Sequence, residues 1–514
     1  MTDRATEGHR TPHARVGGRA GEVRGRAADP GDEETVLGLW LANVRACPER
    51  AAIRTRRRTV SYRELERQAA RYRDGIAAVA AGPVVIACAD PVETVAAILG
   101  AMAAQRPFAP VDVRTPASRL GAVLEGTRPR LVVADGPGTV AMGRTGTSRR
   151  VVTAGELPEG DTDPARWTAT RDRGYIYFTS GTTGRPKGFA ATLRAVAHFV
   201  TWEIAEFGVT PGTRVSSLTS PGFDAFLRDA FVPLCAGGTM CAAPRSALAG
   251  EGLARWLAAT KVNVLHCVPT VFRTLHSLAL TPASLPDLRT VLMAGEPVRA
   301  ADVRWWRGLF GDGKDLVNLY GPSETTMTKL FHRLTAADAD AGRVPVGVPM
   351  PGVGVRLLGG EDVGEVELRV PFPLPGYLGG EPGGFDPGDP HVYRTGDLGR
   401  FRPDGALELL GRRDRQVKLR GVRVEPDDVA GVLLRHPAVH DVHVTVEGED
   451  SEATLRAYVV WSGAWDERDL LRHAREHLPS GMVPARFVRM TALPRTLNGK
   501  VDRGGLPHHA AAAP

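Results

Sequence analysis

At 514 residues the chain is longer than a single hydrophobic core usually supports, and 43% apolar with 24% charged residues is the balance of a water-soluble globular protein. Its net charge of +7 arises from interleaved acids and bases without an aromatic-studded basic stripe, which argues against a nucleic-acid partner. There is no run of about eighteen apolar residues, no basic start followed by an apolar segment, and no C-x-x-C pair among five scattered cysteines, so a cytoplasmic protein without a membrane span, disulfide framework or zinc site is expected.

Residues 1–31 carry almost no apolar side chains and are expected to form a disordered tail. Shortly after Glu33, TVLGLWLANVRACPER has apolar residues at helical spacing, and Thr59 to Leu65 predicts a short strand entering a helix. Val84 to Ala87, Val92 to Ala104 and Leu131 to Ala134 then alternate as strand, helix and strand. Such alternation predicts an α/β fold whose ligand crevice lies at the carboxyl ends of parallel strands.

Tyr175 to Phe178 is aromatic enough for a buried strand, and Thr179 to Gly188 (TSGTTGRPKG) concentrates small residues, hydroxyls and one lysine. Gly181 and Gly184 let backbone N–H groups approach an anion, Ser180, Thr182 and Thr183 add hydroxyl donors, and Lys187 adds a point charge, a set suited to a nucleoside triphosphate. It is not a Walker A loop, because G-x-x-x-x-G-K-[ST] is absent. Magnesium must therefore find its protein ligand elsewhere.

Leu193 to Phe207 predicts an amphipathic helix, and Val262 to Leu265, Thr290 to Met293 and Val317 to Leu319 predict strands. Each of the three strands runs into a turn-rich stretch, HCVPT, AGEP and YGPSETT. Beyond residue 350, glycine and proline turns with short strands suggest a β-rich part, about 345–410. After the charged run GRRDRQVKLRGVRVE come helices at Pro426 to His436 and Asp466 to Leu478, with strands between them. The reading divides the chain into a core at 32–410, a hinge at 411–414, a small α+β domain at 415–505 and a second disordered tail at 506–514.

Taken together, TSGTTGRPKG, VDVRTPASRL, Phe223-Asp224-Ala225, NLYGPSETT, YRTGDL, Gly411 to Glu425 and NGKVDR resemble the adenylate-forming superfamily. The resemblance is to amino-acid adenylation domains of nonribosomal peptide synthetases in particular, and spans about residues 33–505. It implies a large N-terminal domain with a mobile C-terminal lid, and a reaction in which a carboxylate attacks the α-phosphate of ATP to give an acyl-adenylate and pyrophosphate. Bringing two anions together calls for charge neutralisation and positioning rather than a nucleophilic side chain.

By that resemblance Lys500 bridges the reacting carboxylate and α-phosphate, and Lys418 serves a second, thioester-forming state. Thr179, Ser180, Gly181, Thr182, Thr183, Gly184 and Lys187 grip the phosphates, with Thr325 close by. Glu324 is the Mg2+ ligand, Tyr320 lies against adenine, Asp397 accepts from the ribose hydroxyls, and Arg412 reaches ribose or phosphate or forms an interdomain ion pair. Asp414 occupies the hinge position. Asp224 pairs with the substrate ammonium or caps the following helix, and Ala225, Arg228, His266, Leu292, Ala294, Leu319, Met327 and Thr328 line the substrate pocket. Arg228 either reads a polar side chain or pairs with an acid on its own helix.

The implied substrate is a small polar or cyclic α-amino acid. The implied acceptor is phosphopantetheine on a separate carrier protein, because no G-G-x-S carrier site occurs in the chain; coenzyme A is the alternative acceptor, and a small activator protein is a further partner that the resemblance allows. Two other readings compete: an acyl- or aryl-coenzyme A ligase of the same fold, and a non-catalytic nucleotide-binding scaffold.

Overall fold

The computed structural model describes residues 15–16, 22–24, 35–167, 174–179, 186–248, 250–340, 342–360, 362–373, 376–380, 384–413, 417–419, 422–448, 453–494, 501 and 505–507. Two large sheets share one layer of helices. In the first, Val84–Ala87, Phe108–Pro110, Leu131–Ala134, Val151–Val152 and Tyr175–Thr179 run parallel. In the second, Ala51–Arg54, Thr239–Ala242, Arg214–Ser217, Val264–Cys267, Thr290–Ala294 and Asp315–Tyr320 form the parallel centre.

The strands are largely buried because both faces are covered. Side chains alternate across a strand, so Val84 and Ile86 enter the core shared with Trp40, Tyr62 and Tyr72, while Val85 and Ala87 pack on the opposite face with Leu120 and Met142. The same parity divides the second sheet: Val264, Leu292, Val317 and Leu319 point into the shared core, and Leu265, Val291, Met293 and Leu316 pack beneath it with Phe272 and Trp306. Local signals agree with this architecture. Helix Tyr62–Ala77 starts at a capping box in which the Glu64 N–H donates to Ser61 Oγ at 3.2 Å and the Ser61 N–H donates to Glu64 Oε2 at 2.7 Å.

A β-rich part follows, with Gly354–Leu358, Gly364–Arg369, Phe385–Asp386, Asp389–Phe401 and Leu407–Arg412 in one antiparallel sheet. That sheet corrects one expectation. Within the segment taken as a disordered tail, Arg15–Val16 pairs with Glu22–Arg24, which pairs in turn with Gly354–Arg356 and buries Val23. The remainder of 1–31 lies outside the described residues.

The small domain has a hairpin, Val417–Leu419 with Val422–Val424, and a three-stranded sheet of Val439–Glu447, Thr454–Trp461 and Arg486–Met490. Helices Pro426–Leu433 and Glu467–His477 supply Val429, Leu433 and Leu470 to its own core. Leu506, at the start of the second expected tail, is buried with Tyr458 and Leu493, so the domain extends further than expected. The two domains touch where Ser118 Oγ donates to the Glu476 carbonyl at 3.3 Å. All five cysteines are free, and among the described residues no helix is long and apolar enough to cross a membrane.

The glycine-rich segment also differs from expectation. Lys187 and Gly188 belong to a strand, Lys187–Ala191, that folds back antiparallel on Tyr175–Thr179 with Lys187 opposite Thr179. The phosphate-sized loop therefore joins two strands of a hairpin, and residues 180–185, which include Ser180, Gly181, Thr182, Thr183 and Gly184, lie outside the described residues.

Candidate active site

Thr179, Ala294 and Tyr320 stand at the carboxyl ends of parallel strands, and Glu324, Thr325, Met327 and Thr328 follow on the turn beyond the last of these. The turn after Asp315–Tyr320 is the organising piece of the site. It curls so tightly that a Cβ on Gly321 would stand 2.1 Å from the Met327 carbonyl oxygen, and Thr326 and Met327 adopt φ of 66° and 59°. Two side chains hold this bend: the Tyr175 hydroxyl donates to Thr326 Oγ1 at 3.0 Å, and Asp224 accepts from the Met327 N–H at 3.1 Å. The first sheet is thereby tied to the second at the site.

Glu324 lies on this turn with its carboxylate wholly enclosed. Its Oε1 accepts from the Tyr377 hydroxyl at 2.5 Å and from Arg423 Nη1 at 2.6 Å, whereas Oε2 is buried without a hydrogen-bond partner among the described residues. An enclosed oxygen with an unused lone pair suits a hard cation, and magnesium takes only one or two carboxylates alongside phosphates and water. Among the described residues no group of three or more metal-binding side chains exists, so a site completed by substrate oxygens is the arrangement this donor set allows. The Thr325 hydroxyl donates to the Pro322 carbonyl at 2.8 Å.

Asp397 stands opposite Arg412 on neighbouring strands and pairs with it at 2.7 Å; Arg412 also donates to the Thr395 carbonyl at 3.1 Å. The ion pair is thus made within the large domain rather than between domains. Tyr320 is nearly buried, and its hydroxyl donates to the second Asp397 oxygen, so it holds this carboxylate as well as offering a ring face. Lys418 lies on the small domain's hairpin. The residue is exposed on that hairpin, and desolvation beside the large domain lowers its pKa below the ordinary lysine value, opposed by Asp397 and reinforced by Arg423 and Arg412.

The pocket positions come together through sheet register. His266 is directly beside Leu292, and Ala294 directly beside Leu319, on adjacent parallel strands facing the shared core. Met327 and Thr328 close one side from the turn. Asp224 is buried at the start of helix Ala225–Cys235, accepts from the Ala225 N–H and the Ser323 hydroxyl at 3.0 Å each, and makes no ion pair among the described residues. It caps the helix, and the buried Lys329 ammonium, which donates to backbone carbonyls instead, acts on it only through space. Burial raises the Asp224 pKa, against the hydrogen bonds that favour the carboxylate.

Arg228 does pair with an acid on its own helix, Asp229, at 3.4 Å. Asp229 in turn contacts His266 Nδ1 at 3.0 Å, and His266 Nε2 lies 2.8 Å from Glu203 Oε1, an ion-pair contact rather than an aligned hydrogen bond. Burial and Arg228 oppose the imidazolium, but Glu203 and Asp229 outweigh them and raise the His266 pKa. Basic and acidic side chains therefore alternate along one buried run of contacts, Arg228, Asp229, His266 and Glu203.

Sequence reasoning missed Glu203, Asp229, Lys329, Tyr377 and Arg423. Glu203 was visible as an acid at helical spacing from Val196, Phe199 and Val200, on the buried face of helix Leu193–Glu206. Tyr377 and Arg423 had no local signal, since their partner Glu324 lies in another segment, whereas Asp229 directly follows Arg228 and Lys329 bonds carbonyls of its own turn. The expected positions Lys500 and Asp414 lie outside the described residues.

Comparison with known proteins places this geometry. A family model described as AMP-binding enzyme matches residues 40–378, and one described as AMP-binding enzyme C-terminal domain matches 428–500. The chain is 34% identical to novobiocin biosynthesis protein H of Streptomyces niveus, covering 93% of this chain and 83% of that protein. It is 33% identical to phosphinothricin tripeptide synthetase PhsC of Streptomyces viridochromogenes, over 94% of this chain but only 46% of the synthetase. In fold it is similar to the Vibrio cholerae adenylation domain AlmE, solved with glycyl-adenosine-5'-phosphate, with a TM-score of 0.78 and 22% identity over 91% of this chain and 96% of that one.

Proposed function

The chain belongs to the AMP-binding enzyme family, with relatives among nonribosomal peptide synthetases, and from that premise we propose that it activates an α-amino acid with ATP as an aminoacyl-adenylate, releasing pyrophosphate, and passes the aminoacyl group to the phosphopantetheine thiol of a separate carrier protein. The observation that carries the amino-acid reading is Asp224. A buried carboxylate held by three hydrogen-bond donors, without an ion pair, is suited to a substrate ammonium beside the pocket of His266, Leu292 and Leu319.

In this reading Asp397, oriented by Tyr320 and Arg412, takes the ribose hydroxyls. Lys187 and the hairpin loop hold the phosphates, and Glu324 would hold magnesium, which when bound shields the phosphate charge. Lys500 meets the reacting carboxylate and α-phosphate, and Asp414 is the hinge about which the small domain turns to bring Lys418 in for transfer. Arg228 already faces Asp229, and His266 lies between Asp229 and Glu203, so these groups answer one another, and the proposed substrate is a small polar or cyclic one without net side-chain charge.

The test is ATP–pyrophosphate exchange over the proteinogenic amino acids together with cyclic and β-hydroxylated ones and their deaminated counterparts. Exchange is expected with a neutral, small amino acid and not with its deaminated acid. Exchange supported by deaminated acids alone would replace this reading with that of an acyl- or aryl-coenzyme A ligase, and none with any acid would favour a nucleotide-binding scaffold.

A further inference from the structure

The hairpin of the small domain carries two cations on one face. Lys418 and Arg423 are direct cross-strand partners in its antiparallel pair, and directly opposed residues project their side chains the same way. Lys418 faces the charges of Asp397 and Glu324, and Arg423 reaches Glu324 Oε1 at 2.6 Å. Glu324 has no surface exposure at its side chain, so the ion pair is made across a buried domain boundary. A buried carboxylate left without a cation is strongly unfavourable.

Here the cation comes from the small domain, on the residue best placed to hold a metal. We propose that Arg423 is a positioning residue which takes on Glu324 the place that the divalent metal holds during adenylation, so that the hairpin bearing Lys418 docks only once the metal has left with pyrophosphate. The inference rests on the reading of Glu324 as metal ligand. A guanidinium and a divalent ion on one enclosed carboxylate repel each other at short range, whereas either alone neutralises it. The exchange of one cation for the other gives the two half-reactions an order without any change in the charge requirement of Glu324.

The experiment uses the full chain, with Mn2+ alone followed by electron paramagnetic resonance as the binding probe, and transfer from preformed aminoacyl-adenylate to phosphopantetheine at rising Mg2+ as the functional readout. Arg423→Ala and Arg423→Gln are expected to bind Mn2+ about fivefold more tightly than the unmodified protein, because a competitor for Glu324 is gone. Transfer by the unmodified protein is expected to fall as Mg2+ rises, and both variants should transfer about tenfold more slowly and without that Mg2+ dependence. Arg423→Lys, which keeps the charge, should restore the Mg2+ dependence.

Unchanged Mn2+ affinity in both neutral variants, or transfer indifferent to Mg2+ in the unmodified protein, would overturn the proposal. Glu324→Gln separates the two levels. If it loses Mn2+ binding and exchange while the Arg423 variants behave like the unmodified protein, the metal-ligand reading stands and the competition fails. If it retains both, the metal-ligand reading itself fails.

Discussion

Lys329 is the residue whose environment is least suited to its charge. It is 2% exposed, its ammonium donates to the Thr326 and Thr328 carbonyls at 2.6 and 3.0 Å, and burial lowers its pKa to about 7 against some help from Asp224. Between about 7 and the ordinary lysine value of 10.5 the unfolded chain binds a proton that the folded protein does not, so stability contributed at this residue rises with pH through that window. At most the slope is about 1.4 kcal/mol per pH unit for one proton. Denaturant unfolding from pH 7 to 9 should show a flatter profile for Lys329→Met than for the unmodified protein, and parallel profiles would mean that the ammonium is not destabilised by burial. At this scale Asp224, Glu324 and Asp397 were legible because each stands in a contiguous motif. Glu203 and Asp229 were not, because His266, which lies between them, is brought close by folding, and Lys329 was not, because its burial is a property of the fold.

The turn from Gly321 to Thr328 is an element defined by close approach rather than by hydrogen-bonded repeats. Because a Cβ at Gly321 would overlap backbone atoms of Met327 and Thr328 that cannot swing aside, Gly321→Ala is expected to destabilise the protein by about 2–4 kcal/mol and to lower exchange by displacing Glu324 and Asp224 together. Gly121 provides the contrast. It lies within helix Ala117–Thr127 with nothing within 4 Å of an added Cβ, so Gly121→Ala should stabilise by about 0.5–1 kcal/mol. Thermal unfolding of both variants checks the pair; equal effects would remove the packing argument. Of the two large sheets, the strands at Val84, Leu131, Tyr175, Val264, Thr290 and Val317 and the short one at Thr59 were legible from apolar runs bounded by turns, and the remaining strands were not. The hairpin at Lys187 was not, because small polar residues after a strand fit an antiparallel return as well as a helix start, and the choice falls to the neighbour at Gly376–Tyr377 that pairs with the returning strand.

Across the whole molecule the chemistry is divided between two domains, and the two lysines are expected to report on different steps. Lys500→Ala should lower pyrophosphate exchange by about a hundredfold or more, whereas Lys418→Ala should slow transfer from preformed adenylate by more than it slows exchange. Equal losses in both assays for both variants would contradict the division of labour. By itself the sequence determined the order of the elements, the covered α/β architecture and the identity of the charged groups, since apolar periodicity and contiguous motifs are local properties of the chain. Only the tertiary structure decided which charges neutralise one another. Arg228 lies against Asp229, His266 sits between two acids, Arg412 pairs with Asp397, and Arg423 crosses the boundary to Glu324. Coulomb attraction and the cost of burying an unpaired charge act through space, and spatial neighbours separated by up to about a hundred positions carry no mark of each other in the sequence.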